Sequence, residues 1–298
     1  MEAGISGLGT TNVAGAGEKL PASLFGYDVL ARLGEGAHSN IYAVSEAKTG
    51  QVYALKHVVR RNEKDDRFLA QAENEFKVGS MFKHPALRRS LDFKLNKTLL
   101  RRVTDAALLM EMVDGTPMQL EPPKTLRAAL DCFLQAARGL GAVHYQRYVH
   151  CDIKPGNIMM TPGGSIKIID FGQAAKLGTE KERVQGTPDY ISPEQVKRKP
   201  VTERTDVYGL GASLYWALTG RRVPTMMNVA KADRTSVVVE QGFPSPFQLN
   251  GRIPRELSTL VMDCVRVNPL DRPKDMKDLG EQLEQIGKGL AEDVVLHP

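Results

Sequence analysis

At 298 residues the chain has room for one large domain or two lobes, at roughly 100–200 residues per domain. With 42% hydrophobic and 25% charged residues it has the composition of an ordinary soluble globular protein. A net charge of +5 is mild for this length and argues against a nucleic-acid groove, because dispersed Lys and Arg form a solvated face.

Three cysteines, Cys132, Cys151 and Cys264, are odd in number and lack CxxC spacing. They argue against a disulfide or zinc framework and for a reducing compartment. The stretch "MEAGISGLGTTNVAGAGEKL" is rich in Gly, Ala and Thr, with neither a basic start nor an apolar run. Residues 1–24 are therefore read as a disordered tail, not a signal peptide.

From Tyr27 to Val113 most segments read as strands: "YDVLARLGEG", "NIYAVSEA", "QVYALKHVV", "LDFKLNK" and "AALLMEMV". They are β-branched or alternating, and "KTG" and "LNK" supply turns. One helix interrupts them, "DDRFLAQAENEFKVGSMF", with Phe68, Ala72, Phe76 and Phe82 near helical spacing and acids at its start. Near residue 115 the character changes. Helices are expected in "TLRAALDCFLQAARGLGAVHYQ", "DVYGLGASLYWALTG", "PRELSTLVMDCVRV" and "MKDLGEQLEQIGKGL". The apolar stretch around Trp216 is too short for a membrane span and reads as a buried core helix. A small sheet lobe before a larger helical lobe leaves a cleft, where ligands commonly bind.

Within this frame, "LGEGAHSNIYAV" places Gly34 and Gly36 between two strands, which suits either a plain hairpin or a backbone that approaches phosphate. Ser39 stands where a third glycine would complete GxGxxG, and no helix follows, which argues against a dinucleotide fold. Lys56 lies in an otherwise apolar strand, either as a surface lysine or with a carboxylate partner. Glu75 shares the inward helical face with Ala72 and Gly79, whereas Glu73 lies roughly opposite, so Glu75 is the better partner.

The stretch "YVHCDIKPGNIMM" is the most specific. Asp152 can take a proton from a hydroxyl held within reach. Lys154 can neutralise charge on a moving phosphoryl group, and Asn157 offers an amide oxygen to a hard cation such as Mg²⁺. Further on, "IKIIDFGQA" ends a buried strand in Asp170, a second carboxylate able to complete a magnesium site.

In this order the motifs resemble a eukaryotic-type serine/threonine protein kinase, in a style similar to bacterial members, from residue 27 to about 287. The resemblance implies an α+β bilobal fold: a β-rich N-lobe over 25–113 with one main helix, a larger helical C-lobe over 114–287, and a tail over 288–298. It implies ATP and Mg²⁺ as cofactors, with Mn²⁺ as an alternative, and protein substrates with Ser or Thr acceptors. The chain is expected to be cytoplasmic, or the cytoplasmic part of a longer membrane protein, with no nucleic-acid partner and an open oligomeric state.

In the family, residues matching Leu33, Gly34, Glu35, Gly36, Ala37, His38, Ser39 and Ile41 cover the nucleotide, and Ala54, Met110, Glu111, Met112 and Met159 surround adenine. Met110 falls at the gatekeeper position. Lys56 with Glu75 matches the strand lysine and its helix partner, Asp152 the catalytic base, and Asn157 and Asp170 the metal ligands. Lys154 with Thr187 in "GTPDYISPE" matches the serine/threonine branch, Glu194 the acid that closes the activation loop, Arg272 its partner, and Asp206 the acid opening the buried helix.

Two further departures stand beside Ser39. Gly79 takes the place of a large apolar residue, which weakens the helix by about 1 kcal/mol relative to Ala and implies a gap and a mobile helix. Cys151 replaces the arginine that answers a phosphorylated loop residue, so activity without loop phosphorylation is expected, with Lys176 or Arg183 as the substitute cation otherwise. An active kinase and a non-catalytic nucleotide-binding scaffold both suit the fold. The survival of Lys56, Asp152, Asn157 and Asp170 favours the enzyme.

Overall fold

The alternating segments of the first part become a six-stranded antiparallel sheet in a computed structural model that describes residues 20–36, 38–224, 242–290 and 292–296. Most of the expected tail and Ala37 lie outside the described residues. The strands are β1 (Ser23–Leu24), β2 (Tyr27–Glu35), β3 (Ser39–Ser45), β4 (Val52–Val59), β5 (Ser90–Lys97) and β6 (Val103–Glu111), in the order β1-β2-β3-β4-β6-β5. The helix α1 (Asp66–Gly79) packs on β4, β5 and β6.

Period-2 alternation gives this sheet two apolar faces. Ala54, Leu108 and Met110 meet Phe76 of α1 on one side, while Tyr42, Val44, Leu55, Ala107 and Leu109 form a second cluster on the other. Three expectations need correction. Ser23 and Leu24, placed in the tail, pair with Asp28 and Tyr27. Phe25 and Gly26 both take positive φ, 52° and 87°, the backbone of a two-residue hairpin turn. The polar "LNK" continues β5, and the turn falls at 98–102, where Thr98 and Arg102 bond and Arg101 has φ 61°. Gly79 closes α1 instead of sitting in its interior, so the interior helix penalty does not apply there.

The second compact unit comprises residues 81–88 and those from 115 onward. Its helices are α2 (Leu126–Tyr145), α3 (Pro193–Val196), α4 (Glu203–Thr219), α5 (Pro246–Leu249), α6 (Arg255–Cys264) and α7 (Met276–Lys288). Two small sheets accompany them: β7 (Thr116–Pro117), β9 (Ile158–Met160) and β10 (Ile166–Ile168), and β8 (Tyr148–Val149) with β11 (Ala175–Lys176). α4 is apolar nearly all round and buried, as such a helix must be. Gly211 lets it touch Cys264 of α6, and Gly209 lets it touch Ile153, where an added Cβ would stand 3.0 Å from the Ile153 carbonyl oxygen. Among the described residues no helix is long and apolar enough to cross a membrane.

The segment after α7, assigned above to a tail, caps α2. The first N–H groups of a helix have no partner within it. Here Leu126 N–H donates to Val294 O at 2.8 Å and Arg127 N–H to Asp293 Oδ1 at 2.9 Å. Leu296 N–H returns a bond to Lys124 O at 2.8 Å, and the side chains of Val294 and Leu296 are buried. The Arg127 N–H holds the Asp293 carboxyl below its ordinary range.

Candidate active site

Strand register decides what the first unit's polar residues meet. Gly36 N–H donates to Ser39 O at 2.7 Å and closes the β2–β3 hairpin. A side chain at Gly34 would meet nothing within 4 Å, so the backbone there is open to a close-approaching group. Leu33 is exposed and Glu35 pairs with Arg32 at 3.0 Å. His38 leans on Phe68 of α1. Ile41 lies opposite Lys56, and Ala54 opposite Met110. Met110 is fully buried, with Met112 packed at the edge of its cluster, and Glu111 exchanges bonds with Arg89 through its N–H and carboxylate.

Lys56 Nζ stands 2.7 Å from Glu75 Oε2, and the Glu75 side chain is only 1% exposed. Glu73 is on the exposed side of the same helix. A buried carboxylate needs a cation, and Lys56 of β4 supplies one to Glu75, which lies on the face of α1 that packs on the sheet.

In the second unit, β8 delivers the chain into a turn where Cys151 takes φ 66°, an uncommon conformation for a residue with a side chain. The turn is held from both sides. Asp206, at the start of α4, accepts from His150 N–H at 2.8 Å, Cys151 N–H at 2.9 Å and the His144 ring at 2.9 Å. Burial alone would raise the Asp206 carboxyl, but the bonds from His144 and His150 outweigh it and hold the group below its ordinary range. From the other side, Gln195 of α3 donates to Cys151 O at 2.8 Å.

This turn presents Asp152. Its Oδ1 accepts from both the N–H and the hydroxyl of Thr187, each at 2.9 Å, and its Oδ2 accepts from Lys154 Nζ at 3.0 Å. Lys154 Nζ also donates to Thr187 Oγ1 at 2.7 Å, closing a three-residue ring. Asn157 donates its amide N–H to Asp152 O at 2.8 Å and, at 3.4 Å, to Asp152 Oδ2, which leaves the amide oxygen as the atom that could meet a cation. Asp170 follows β10 at φ 65° and accepts from Gly172 N–H at 3.2 Å, and Met159 lies half-buried in β9. Among the described residues no three His, Cys, Asp or Glu cluster to hold a metal. The oxygens that could meet a hard cation are the Asn157 amide and the Asp170 carboxylate.

Residues 27–283 match the protein kinase domain family. This chain belongs to the protein kinase family. PknA of Mycobacterium tuberculosis, a serine/threonine-protein kinase, is 33% identical over 195 residues, 63% of this chain and 45% of that protein. The serine/threonine-protein kinase PknB of Mycolicibacterium smegmatis is 27% identical over 277 residues, 90% of this chain and 44% of its own length. A probable serine/threonine-protein kinase of Streptomyces coelicolor is 28% identical over 272 residues, 87% of this chain and 39% of its own. The chain spans less than half the length of these relatives.

In this protein kinase, Glu194 and Arg272 form a buried two-pronged pair, with Nη1–Oε1 and Nη2–Oε2 both at 2.9 Å. Cys151 packs with Val149 and Val201, and burial pushes its thiol up to about 12. Two residues escaped the sequence reading. Gln195 ties the Cys151 carbonyl to Gln185 O, and in the sequence it reads only as a helix-start residue. The cation that reaches back from the loop is Lys181, which donates to Gln173 O, whereas Lys176 and Arg183 are exposed.

Proposed function

We propose that this protein kinase transfers the γ-phosphoryl group of ATP to Ser or Thr hydroxyls of protein substrates. The observation that carries the proposal is the ring of Asp152, Lys154 and Thr187. Asp152 is fixed in orientation by Thr187, Lys154 and Asn157, and is suited to accept the proton of an incoming hydroxyl. Lys154 places a cation where negative charge develops on the transferring group, and Thr187 holds both partners in register. Lys56, oriented by Glu75, offers its ammonium to the nucleotide phosphates, and the open backbone at Gly34 admits them. Asn157 and Asp170 would hold Mg²⁺, which neutralises phosphate charge when bound. The three buried free thiols are consistent with a cytoplasmic setting.

Incubation with labelled ATP, Mg²⁺ and generic protein substrates, followed by phosphoamino-acid analysis, tests this reading. Phosphoserine and phosphothreonine are expected, with Mn²⁺ as a substitute metal. No label above an Asp152→Asn control would overturn it.

Activity is expected without loop phosphorylation. The site usually occupied by arginine holds an apolar-packed thiol, and Lys181 and Gln195 already tether the segment that a phosphate would otherwise order. After phosphatase treatment, with loss of phosphate verified by mass spectrometry, initial rates should stay within twofold. A tenfold or larger fall, restored by rephosphorylation at Thr179, would refute it.

A further inference from the structure

The apex of the β2–β3 hairpin carries an aromatic residue with a partner of its own. The His38 ring stacks on Phe68, in the first turn of α1, with centroids 3.8 Å apart and planes inclined by 14°. Its Nδ1 stands 3.5 Å from Asp65 Oδ1, just ahead of the same helix. Asp65 is suited to this part. Its other oxygen accepts from Arg61 N–H at 2.8 Å and Asn62 N–H at 3.0 Å, and these bonds hold the carboxyl below its ordinary range. The guanidinium of Arg67 lies 4.5 Å from the centroid of the Phe68 ring, which further fixes that ring.

We infer that His38 is a positioning residue which clamps the glycine hairpin to the entry of α1. The helix it grips is the one that carries Glu75, and Glu75 orients Lys56. The stack therefore joins two parts of the phosphate-binding apparatus: the hairpin backbone over Gly34 and Gly36, and the Lys56–Glu75 pair. A hairpin held this way meets the nucleotide already ordered, so less freedom is lost on binding. The benefit belongs to nucleotide affinity and not to the chemical step. This inference rests on the proposed reading of the hairpin as the nucleotide-binding loop.

A double-mutant cycle tests it on the full chain, with ATP as the varied substrate and melting temperature as the folding control. His38→Ala and Phe68→Ala should each raise KM for ATP three- to tenfold with kcat within twofold. The double variant should be no worse than the poorer single one, because each change already breaks the same stack. His38→Phe keeps the stacking surface and should recover most of the wild-type KM. Gly34→Val, whose side chain meets open space within the protein, serves as the reference for loss of phosphate approach. If Gly34→Val raises KM but the two alanine variants leave it unchanged, or their effects multiply independently, the clamp is refuted. If Gly34→Val leaves KM unchanged, the nucleotide-binding reading of the hairpin falls, and the clamp with it.

Discussion

Asp152→Asn should lower phosphoryl transfer by about 10²–10⁴-fold, the usual contribution of a positioned general base, while leaving nucleotide affinity near that of the wild type. The carboxylate accepts four bonds and makes none as a donor: two from Thr187, one from Lys154 and a longer one, 3.4 Å, from the Asn157 amide. An asparagine amide in the same place must turn one N–H₂ face toward a group that is itself a donor, so the replacement also loosens Lys154 and Thr187. Nucleotide affinity should change little, because the ring contains neither Lys56 nor Asp170 and Asn157 keeps its 2.8 Å bond to the Asp152 carbonyl. Asp170→Ala gives the opposite signature, with Mg·ATP affinity and turnover falling together. Rates and nucleotide titrations on the two variants separate the roles. Near-wild-type transfer by Asp152→Asn would remove it as the base.

Arg272→Ala should be the most destabilising single change in the second unit. Its guanidinium side chain is 0% exposed and holds Glu194 through both nitrogens of its fork. It also donates to the carbonyls of Arg266, Arg204 and Val267. Removing it leaves a buried carboxylate with Thr205 as its remaining side-chain donor and takes one donor from each of three carbonyls. Breaking a buried pair from one side costs about 3–5 kcal/mol. At about 2–4 °C per kcal/mol for a domain of this size, the melting temperature should fall by roughly 10 °C. Arg272→Lys should not rescue it, since a point ammonium cannot satisfy a two-pronged acceptor. A fall of less than 3 °C by calorimetry would show that the surroundings rearrange to hydrate Glu194.

The candidate site residues could be picked out of the sequence because their types and spacings are constrained by what such residues must touch. Counting helix faces was enough to choose Glu75 over Glu73, but "VYALKHV" left Lys56 open between a surface lysine and a paired one, and only the 2.7 Å contact with Glu75 decides it. What stayed hidden has physical causes. β5 is an edge strand whose last residues are exposed, so Asn96 and Lys97 are polar for want of neighbours and imitate a turn. β1 has only two residues, too few to show a period. Gln195 acts through its side-chain amide on a carbonyl forty-four positions away, and no local pattern records such a bond. Among Lys176, Lys181 and Arg183 the sequence offers three equivalent cations, and only the path of the loop selects Lys181.

The segment that caps α2 has a practical meaning for anyone shortening this protein. A gene fragment stopped at residue 287, where the sequence pattern ends, would strip Leu126 and Arg127 of their acceptors and bare the surface beneath Val294 and Leu296. Such a fragment would begin its longest helix frayed and would expose fresh apolar area, a recipe for poor expression. Recombinant boundaries should therefore fall after Leu296.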